Sequence, residues 1–193
     1  MNLIQRILLR AKMRFLRFRF FQSGRITLLR HYKIKGYKHI QIGTGFFANH
    51  FLRIEVFGNA PGVKLRIGDH VSLGENVHLA VNKQVVIGDH VLIGSRILIT
   101  DHNHGCYEGE DQSDPAIPPN KRTLTGKRIL VGENTWIGDG VVILPGVQIG
   151  KGCIIGANSV VTKDIPDGSM AAGIPCRVIK VYDPEQKKWI AHV

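Results

Sequence analysis

Residues 131–161 read V-G-E-N-T-W-I-G-D-G-V-V-I-L-P-G-V-Q-I-G-K-G-C-I-I-G-A-N-S-V-V, and an aliphatic residue returns at every sixth position: Val131, Ile137, Ile143, Ile149, Ile155 and Val161. Glycine follows four of them, at Gly132, Gly138, Gly150 and Gly156. Four residues after each aliphatic position stands a second small or aliphatic side chain: Thr135, Val141, Val147, Cys153, Ser159 and Ile165. Two inward positions in six, with glycine at the bend, describe a short strand and a corner. Three such units close a triangular coil, and stacked coils bury a continuous aliphatic column while each strand pairs with the coil above and below. An α-helical reading fails because each glycine would cost about 1 kcal/mol relative to alanine. A sandwich would space its turns roughly 8–12 residues apart, more loosely than here. The expected fold is all-β, a parallel β-helix of hexapeptide repeats.

Working outward, the same phase runs through Ile67-Gly68, Leu73-Gly74 and Leu79, and through Ile87-Gly88, Ile93-Gly94 and Ile99, with Val71, Val77, Val91 and Ile97 as the second inward set. Two extra residues fall between Leu79 and Ile87, and a long insertion breaks the phase over about 105–128. Pro115, Pro118 and Pro119 stand in that insertion beside Glu108, Glu110, Asp111, Asp114, Lys121 and Arg122, so it is expected to leave the coil as a loop. The chain divides into an arm over 1–40, a β-helix over 41–180 and a tail over 181–193.

The formal charge of +11 is concentrated at one end. Residues 1–54 contain no Asp or Glu, while the first forty carry Arg6, Arg10, Lys12, Arg14, Arg17, Arg19, Arg25, Arg30, Lys33, Lys35 and Lys38. Within the arm Ile4, Ile7, Leu8, Ala11, Phe15 and Phe18 follow helical spacing, and Arg6, Arg10, Arg14 and Arg17 form another stripe. Such a helix can lie on an anionic membrane surface, or it can cap the open end of the β-helix; both readings stay open. Basic residues interrupt every apolar run, so neither a signal peptide nor a membrane span is expected, and the protein is read as cytoplasmic. No nucleic-acid recognition module accompanies the arm. Cys106, Cys153 and Cys176 form no C-x-x-C pair and suggest neither a disulfide framework nor a zinc knuckle.

The repeat, D-H-N-H-G at Asp101 to Gly105, W-I-G-D at Trp136 to Asp139, L-P-G at Leu144 to Gly146, V-V-T-K-D-I-P at Val160 to Pro166 and A-A-G-I-P-C-R at Ala171 to Arg177 together resemble the hexapeptide-repeat O-acetyltransferases. The D-H-N-H-G and the Trp189 tail are most similar to lipopolysaccharide O-antigen acetyltransferases. The resemblance spans roughly residues 60–190. It implies a left-handed coil, a homotrimer with sites between subunits, acetyl-CoA as co-substrate and a sugar hydroxyl of a surface glycan as acceptor.

Acetyl transfer to a hydroxyl needs a base, and histidine suits neutral pH. Of nine histidines, His70, His78 and His90 sit on regular coils and read as surface or subunit contacts. His31, His39, His50 and His192 lie outside the clear repeat. His102 and His104 stand where the coil meets the insertion. In the galactoside enzymes the base takes the sixth place of the unit before the loop, and counting from Ile99 brings that place to His104. The resemblance therefore implies His104 as base, with His102 as its rival and Asp101 orienting the ring or the acceptor beside Asn103.

By the same resemblance Ala157 meets pantetheine through its backbone, and Thr162, Lys163, Arg177 and Lys180 meet the adenosine and phosphate end. The amides of Gly138 and Asp139 are expected near the oxyanion, and Asp139 stands where galactoside enzymes carry Ser. Asn82 falls at an acceptor-binding position. Two rival functions remain: a zinc-dependent hydratase like the carbonic anhydrases of this fold, suggested by the H-x-H pair, and a catalytically silent scaffold that docks at membranes. No metal is expected, since a catalytic zinc wants three protein ligands. Trp136 reads as a packing residue between subunits.

Overall fold

The computed structural model describes residues 3–192 and contains three parallel sheets wound from successive short strands. The first sheet stacks Gln22–Ser23, Ile40–Ile42, Leu65–Ile67, Val85–Ile87, Ile129–Val131 and Gln148–Ile149. The second stacks Ile26–Leu28, Phe46–Ala48, Ser72–Leu73, Leu92–Ile93, Trp136–Ile137 and Ile154–Ile155, and the third Lys33–Lys35, Arg53–Val56, His78–Val81, Leu98–Thr100, Val142–Ile143 and Val160–Val161. Each coil visits the three sheets in turn, giving six coils in a triangular β-helix.

Strict register makes the aliphatic column. Ile54, Leu79, Ile99, Ile143 and Val161 lie one above another on the third sheet and are fully buried. The I-G-D corners have their own ladder. Asp69 Oδ1 accepts the Thr44 N–H at 2.6 Å, Asp89 Oδ1 the Asp69 N–H at 2.7 Å, and Asp139 Oδ1 the Ser95 N–H at 2.9 Å. Each carboxylate thus satisfies a corner amide that no strand partner reaches. His70 and His90, φ 56° and 57°, turn left-handed corners, and their rings stack at 5.1 Å.

The stretch read as a basic arm over 1–40 divides in two. Leu3–Leu16 is an α-helix, but the coils begin at Gln22, because Ile26, Leu28 and Ile40 are inward residues between outward cations. Met13, Leu16 and Phe20 pack over that first coil, and the Leu28 N–H points at Met13 Sδ at 3.4 Å. Burial of these three side chains closes the open end of the column. Ile7, Leu8, Ala11, Phe15 and Phe18, the row expected at helical spacing, face solvent, so the cap is made by a different row. The side chains of Ile4, Arg6, Arg10 and Arg17 lie outside the described residues.

At the other end Ser169–Gly173 adds a parallel strand beside Ile154–Ile155. Cys176–Asp183 then turns back antiparallel and pairs with Lys188–Ala191, so the tail over 181–193 belongs to this hairpin, with Trp189 against Tyr182. Among the described residues no helix is long and apolar enough to cross a membrane.

Candidate active site

The chain leaves the coil at Asp101. Leu98–Thr100 still pairs within the third sheet, but His102–His104 runs antiparallel to Leu124–Gly126, which closes the base of the insertion. Gly126 allows this closeness, since a Cβ there would meet the Asp101 carbonyl oxygen at 3.0 Å. Counting by six from Ile99 assumes a coil that continues to residue 104, and it ends three residues earlier. The phase argument for His104 therefore does not hold.

Asp101 is fully buried. Its Oδ1 accepts the Asn82 N–H at 2.7 Å and its Oδ2 the Lys83 N–H at 2.8 Å, so the carboxylate is fixed by the two residues that interrupt the repeat one coil earlier. His102 Nδ1 lies 3.0 Å from Asp101 Oδ1. With Nδ1–H donating to that oxygen, the lone pair sits on Nε2, which is the tautomer a general base requires. Phe57 packs edge-on against the imidazole at 5.3 Å, and His102 is 9% exposed. His104 is held differently. It is exposed, its Nδ1 reaches only the Pro119 carbonyl oxygen at 3.3 Å, and its ring centroid is 6.4 Å from that of His102. Asn103 is exposed between them.

His78, read as a surface residue, is part of a charged cluster one coil below. Glu55 is buried and bonds Lys35 at 3.2 Å and Arg53 at 2.5 Å, while His78 Nε2 stands 3.4 Å away, a buried atom without a well-directed hydrogen bond. Burial pushes the Glu55 carboxyl up, but the bonds from Lys35 and Arg53 outweigh it and hold the group below its ordinary value. Burial, with help from Arg53 and against the pull of Glu55, lowers the His78 pKa, and the His102 ring adds to the lowering. Phe57, Lys83 and the Glu55 cluster escaped the sequence reading. The signal was the strand 78–81, whose Ala80 pairs with Thr100 directly before Asp101.

The residues expected to hold the acyl donor gather at the C-terminal end. Ala157 is an exposed corner of the sixth coil, stacked on Gly138, where a Cβ would meet the Ala157 nitrogen at 2.8 Å. Thr162, Lys163, Arg177 and Lys180 are exposed, and strand Cys176–Asp183 touches strand Val160–Val161. One of the two expected oxyanion donors needs correction. The Gly138 N–H donates to the Ile155 carbonyl at 2.8 Å and is not free for a ligand. Asp139 aims its carboxylate at the Ser95 amide, with Arg96 at 3.6 Å, so the side chain serves the corner ladder, which leaves the expectation for its backbone amide untouched. Among the described residues shallow open grooves lie around Phe18 and Tyr37 and around Gly132 and Ile165, and neither includes His102 or Ala157. Among the described residues no three His, Cys, Asp or Glu side chains stand together as a metal-holding group.

A family model for the bacterial transferase hexapeptide (six repeats) matches residues 128–163. Over 171 residues the chain is 40% identical to WbbJ of Escherichia coli (strain K12), named a lipopolysaccharide biosynthesis O-acetyl transferase, covering 88% of this chain and 85% of that protein. This chain belongs to the hexapeptide-repeat O-acetyltransferases. A maltose O-acetyltransferase from Clostridium difficile 630 is 30% identical, with a TM-score of 0.59 over 87% of this chain and 73% of that one. The N-acyltransferase AntD from Bacillus cereus, solved with dTDP and 3-hydroxybutyryl-CoA, shares the fold at a TM-score of 0.74 and 20% identity, over 91% of this chain and 90% of that one. The fold is the left-handed β-helix of this family, and the protein is an acetyltransferase enzyme.

Proposed function

We propose that the enzyme transfers acetyl from acetyl-CoA to a sugar hydroxyl of a surface polysaccharide or lipopolysaccharide O-antigen, with His102 as general base. The Asp101–His102 pair is the observation that carries this reading. His102 Nε2 takes the proton of the acceptor hydroxyl as its oxygen attacks the thioester carbonyl, and the imidazolium returns a proton to the departing CoA thiolate. The buried Asp101 carboxylate stabilises the imidazolium, a role that His104 has only a backbone carbonyl to fill. A base so placed is worth ~10²–10⁴ in rate.

The acyl donor lies along the last coils. Ala157 offers backbone to pantetheine, and Thr162, Lys163, Arg177 and Lys180 offer polar groups and cations to the nucleotide phosphates. The acceptor lies against Asn82 and Asn103, whose positions bracket the dyad. The active form is a homotrimer. Phe47, Leu92 and Trp136 are exposed in one register of the second sheet, with Ser72 between the first two, in line with a subunit contact, and a neighbour there would supply the wall that the single chain lacks. The trimer works in the cytoplasm, where acetyl-CoA is made.

Mass spectrometry of the host's surface glycan, with and without this protein, tests the reading. Loss of a 42-dalton acetyl increment (roughly, one acetyl replacing one hydrogen) on removal is expected. An unchanged glycan, together with no heat protection of the purified protein by CoA, would remove the proposal.

A further inference from the structure

Among the described residues the N-terminal helix has two apolar faces, of which one packs on the chain. Met13 and Leu16 are buried over the first coil. On a helix of about 3.6 residues per turn, Leu8, Ala11 and Phe15 fall on the opposite side, with Lys12 and Arg14 on its two flanks. Phe15 is 76% exposed and Phe18 84%, while Ile7, Leu8 and Phe21 are each more than half exposed. Capping the column explains the first face and leaves the second unexplained. Soluble proteins seldom leave so many large apolar side chains together in water without a partner for them.

The charge around this face chooses the partner. The first 54 residues contain no acid, and Lys12 and Arg14 on the flanks of the apolar row and Arg19 just beyond the helix are exposed. Two of them are held in place: Lys12 lies over the Tyr32 ring at 5.0 Å and Arg19 over Tyr37 at 4.3 Å, so the cations do not swing away from the helix end. A second copy of this chain on the same face would bring like charges together without a counter-charge. An anionic phospholipid surface offers both the apolar layer for the Phe and Ile side chains and the negative headgroups for the flanking cations.

We propose that the outer face of helix Leu3–Leu16, with Phe18 and Phe21, docks the enzyme on anionic phospholipid bilayers, the helix lying in the interface while its inner face stays on the first coil. This attachment is reversible and separate from the proposed acetyl-transfer dyad, which stands where the fourth coil ends. It presents the coils end-on to a bilayer.

The test uses the full chain and co-sedimentation with vesicles of phosphatidylglycerol and phosphatidylethanolamine, against vesicles of phosphatidylcholine alone. Binding to the first only is expected, weakening as salt is raised. Phe15→Ser with Phe18→Ser should lower partitioning by roughly tenfold or more per ring while the melting temperature and CoA protection stay unchanged, since both side chains already face water. Arg14→Gln with Lys12→Gln should lower it by about fivefold per charge at low salt, and it keeps the test open if the Phe variant folds poorly. No sedimentation with the anionic vesicles overturns the proposal. So does equal binding to both vesicle types, binding that survives the Phe substitutions, a change of oligomeric state in the Phe variant without lipid, or preferential binding of duplex DNA over the anionic vesicles.

Discussion

In the coils, Ile99 and Ile143 lie one above the other with no exposed surface, and every neighbouring strand repeats the contact in register. In the excursion between Gly105 and Arg128, Ile117 is exposed and order comes from side chains bonding the local backbone. Arg122 alone reaches the Ile117 carbonyl at 2.8 Å, the Pro115 carbonyl at 3.0 Å and the Tyr107 hydroxyl at 2.8 Å, and Tyr107 donates in turn to the His104 carbonyl. The coils hold position through a nonlocal buried column, the excursion through a few exposed bonds. Where a residue must be placed to a fraction of an ångström, the first region is suited to it. Asp101 is the last residue of the stack and His102 takes its orientation from it, whereas His104 takes its own from the excursion.

That contrast is broken most severely in the column. Ile99→Ala should destabilise the fold by about 2–5 kcal/mol through lost burial and a cavity, read as a fall in the denaturation midpoint. Next is Gly138→Ala, whose Cβ would stand 2.8 Å from the Ala157 nitrogen and 2.9 Å from the Ile155 oxygen, so backbone must shift. A loss of about 1–3 kcal/mol is expected there. The same substitution in the excursion, Ile117→Ala, should move the midpoint by less than about 0.5 kcal/mol. A loss at Ile117 comparable to that at Ile99 would dissolve the distinction.

The charged cluster below the dyad sharpens it through pH. Both Glu55 and His78 have pKa values lowered by folding, so each contributes stability that is present above its unfolded value and lost as pH falls through the folded one. Acid melting should therefore begin below the ordinary histidine value of 6.5 and deepen in the carboxylate range. Glu55→Gln should cost about 1–2 kcal/mol at neutral pH by leaving buried partners less well bonded. It should flatten the carboxylate limb and, because Glu55 holds the His78 pKa up, steepen the histidine limb. Melting curves across pH for both proteins read this out.

The last four coils were legible because Ile-Gly pairs recur in phase at Ile67, Ile87, Val131 and Ile149, each opening a turn of the stack. The first coil was not. Its inward Ile26 and Leu28 alternate with Arg25 and Thr27 and are followed by Arg30, and the density of cations outweighed the alternation. The two faces of the helix stayed undecided for a related reason: its outward row is as apolar as its inward one, and periodicity alone does not say which row meets the protein. At the site, the D-H-N-H-G motif drew attention to the place where the chain leaves the coil and where Asp101 and His102 meet. The proposed preference for His102 over His104 rests on the departure from the coil at Asp101, and that depends on a pairing between 102–104 and 124–126 across the excursion.

The most direct test of the account is turnover of acetyl-CoA with host glycan precursor by His102→Ala and His104→Ala, each with its CoA affinity and assembly measured alongside. His102→Ala should lose ~10²-fold or more in turnover with CoA affinity near normal, Asp101→Asn should follow it, and His104→Ala should keep most of its rate. An active His102→Ala beside an inactive, well-assembled His104→Ala would contradict the claim that the stack, through Asp101, sets the base.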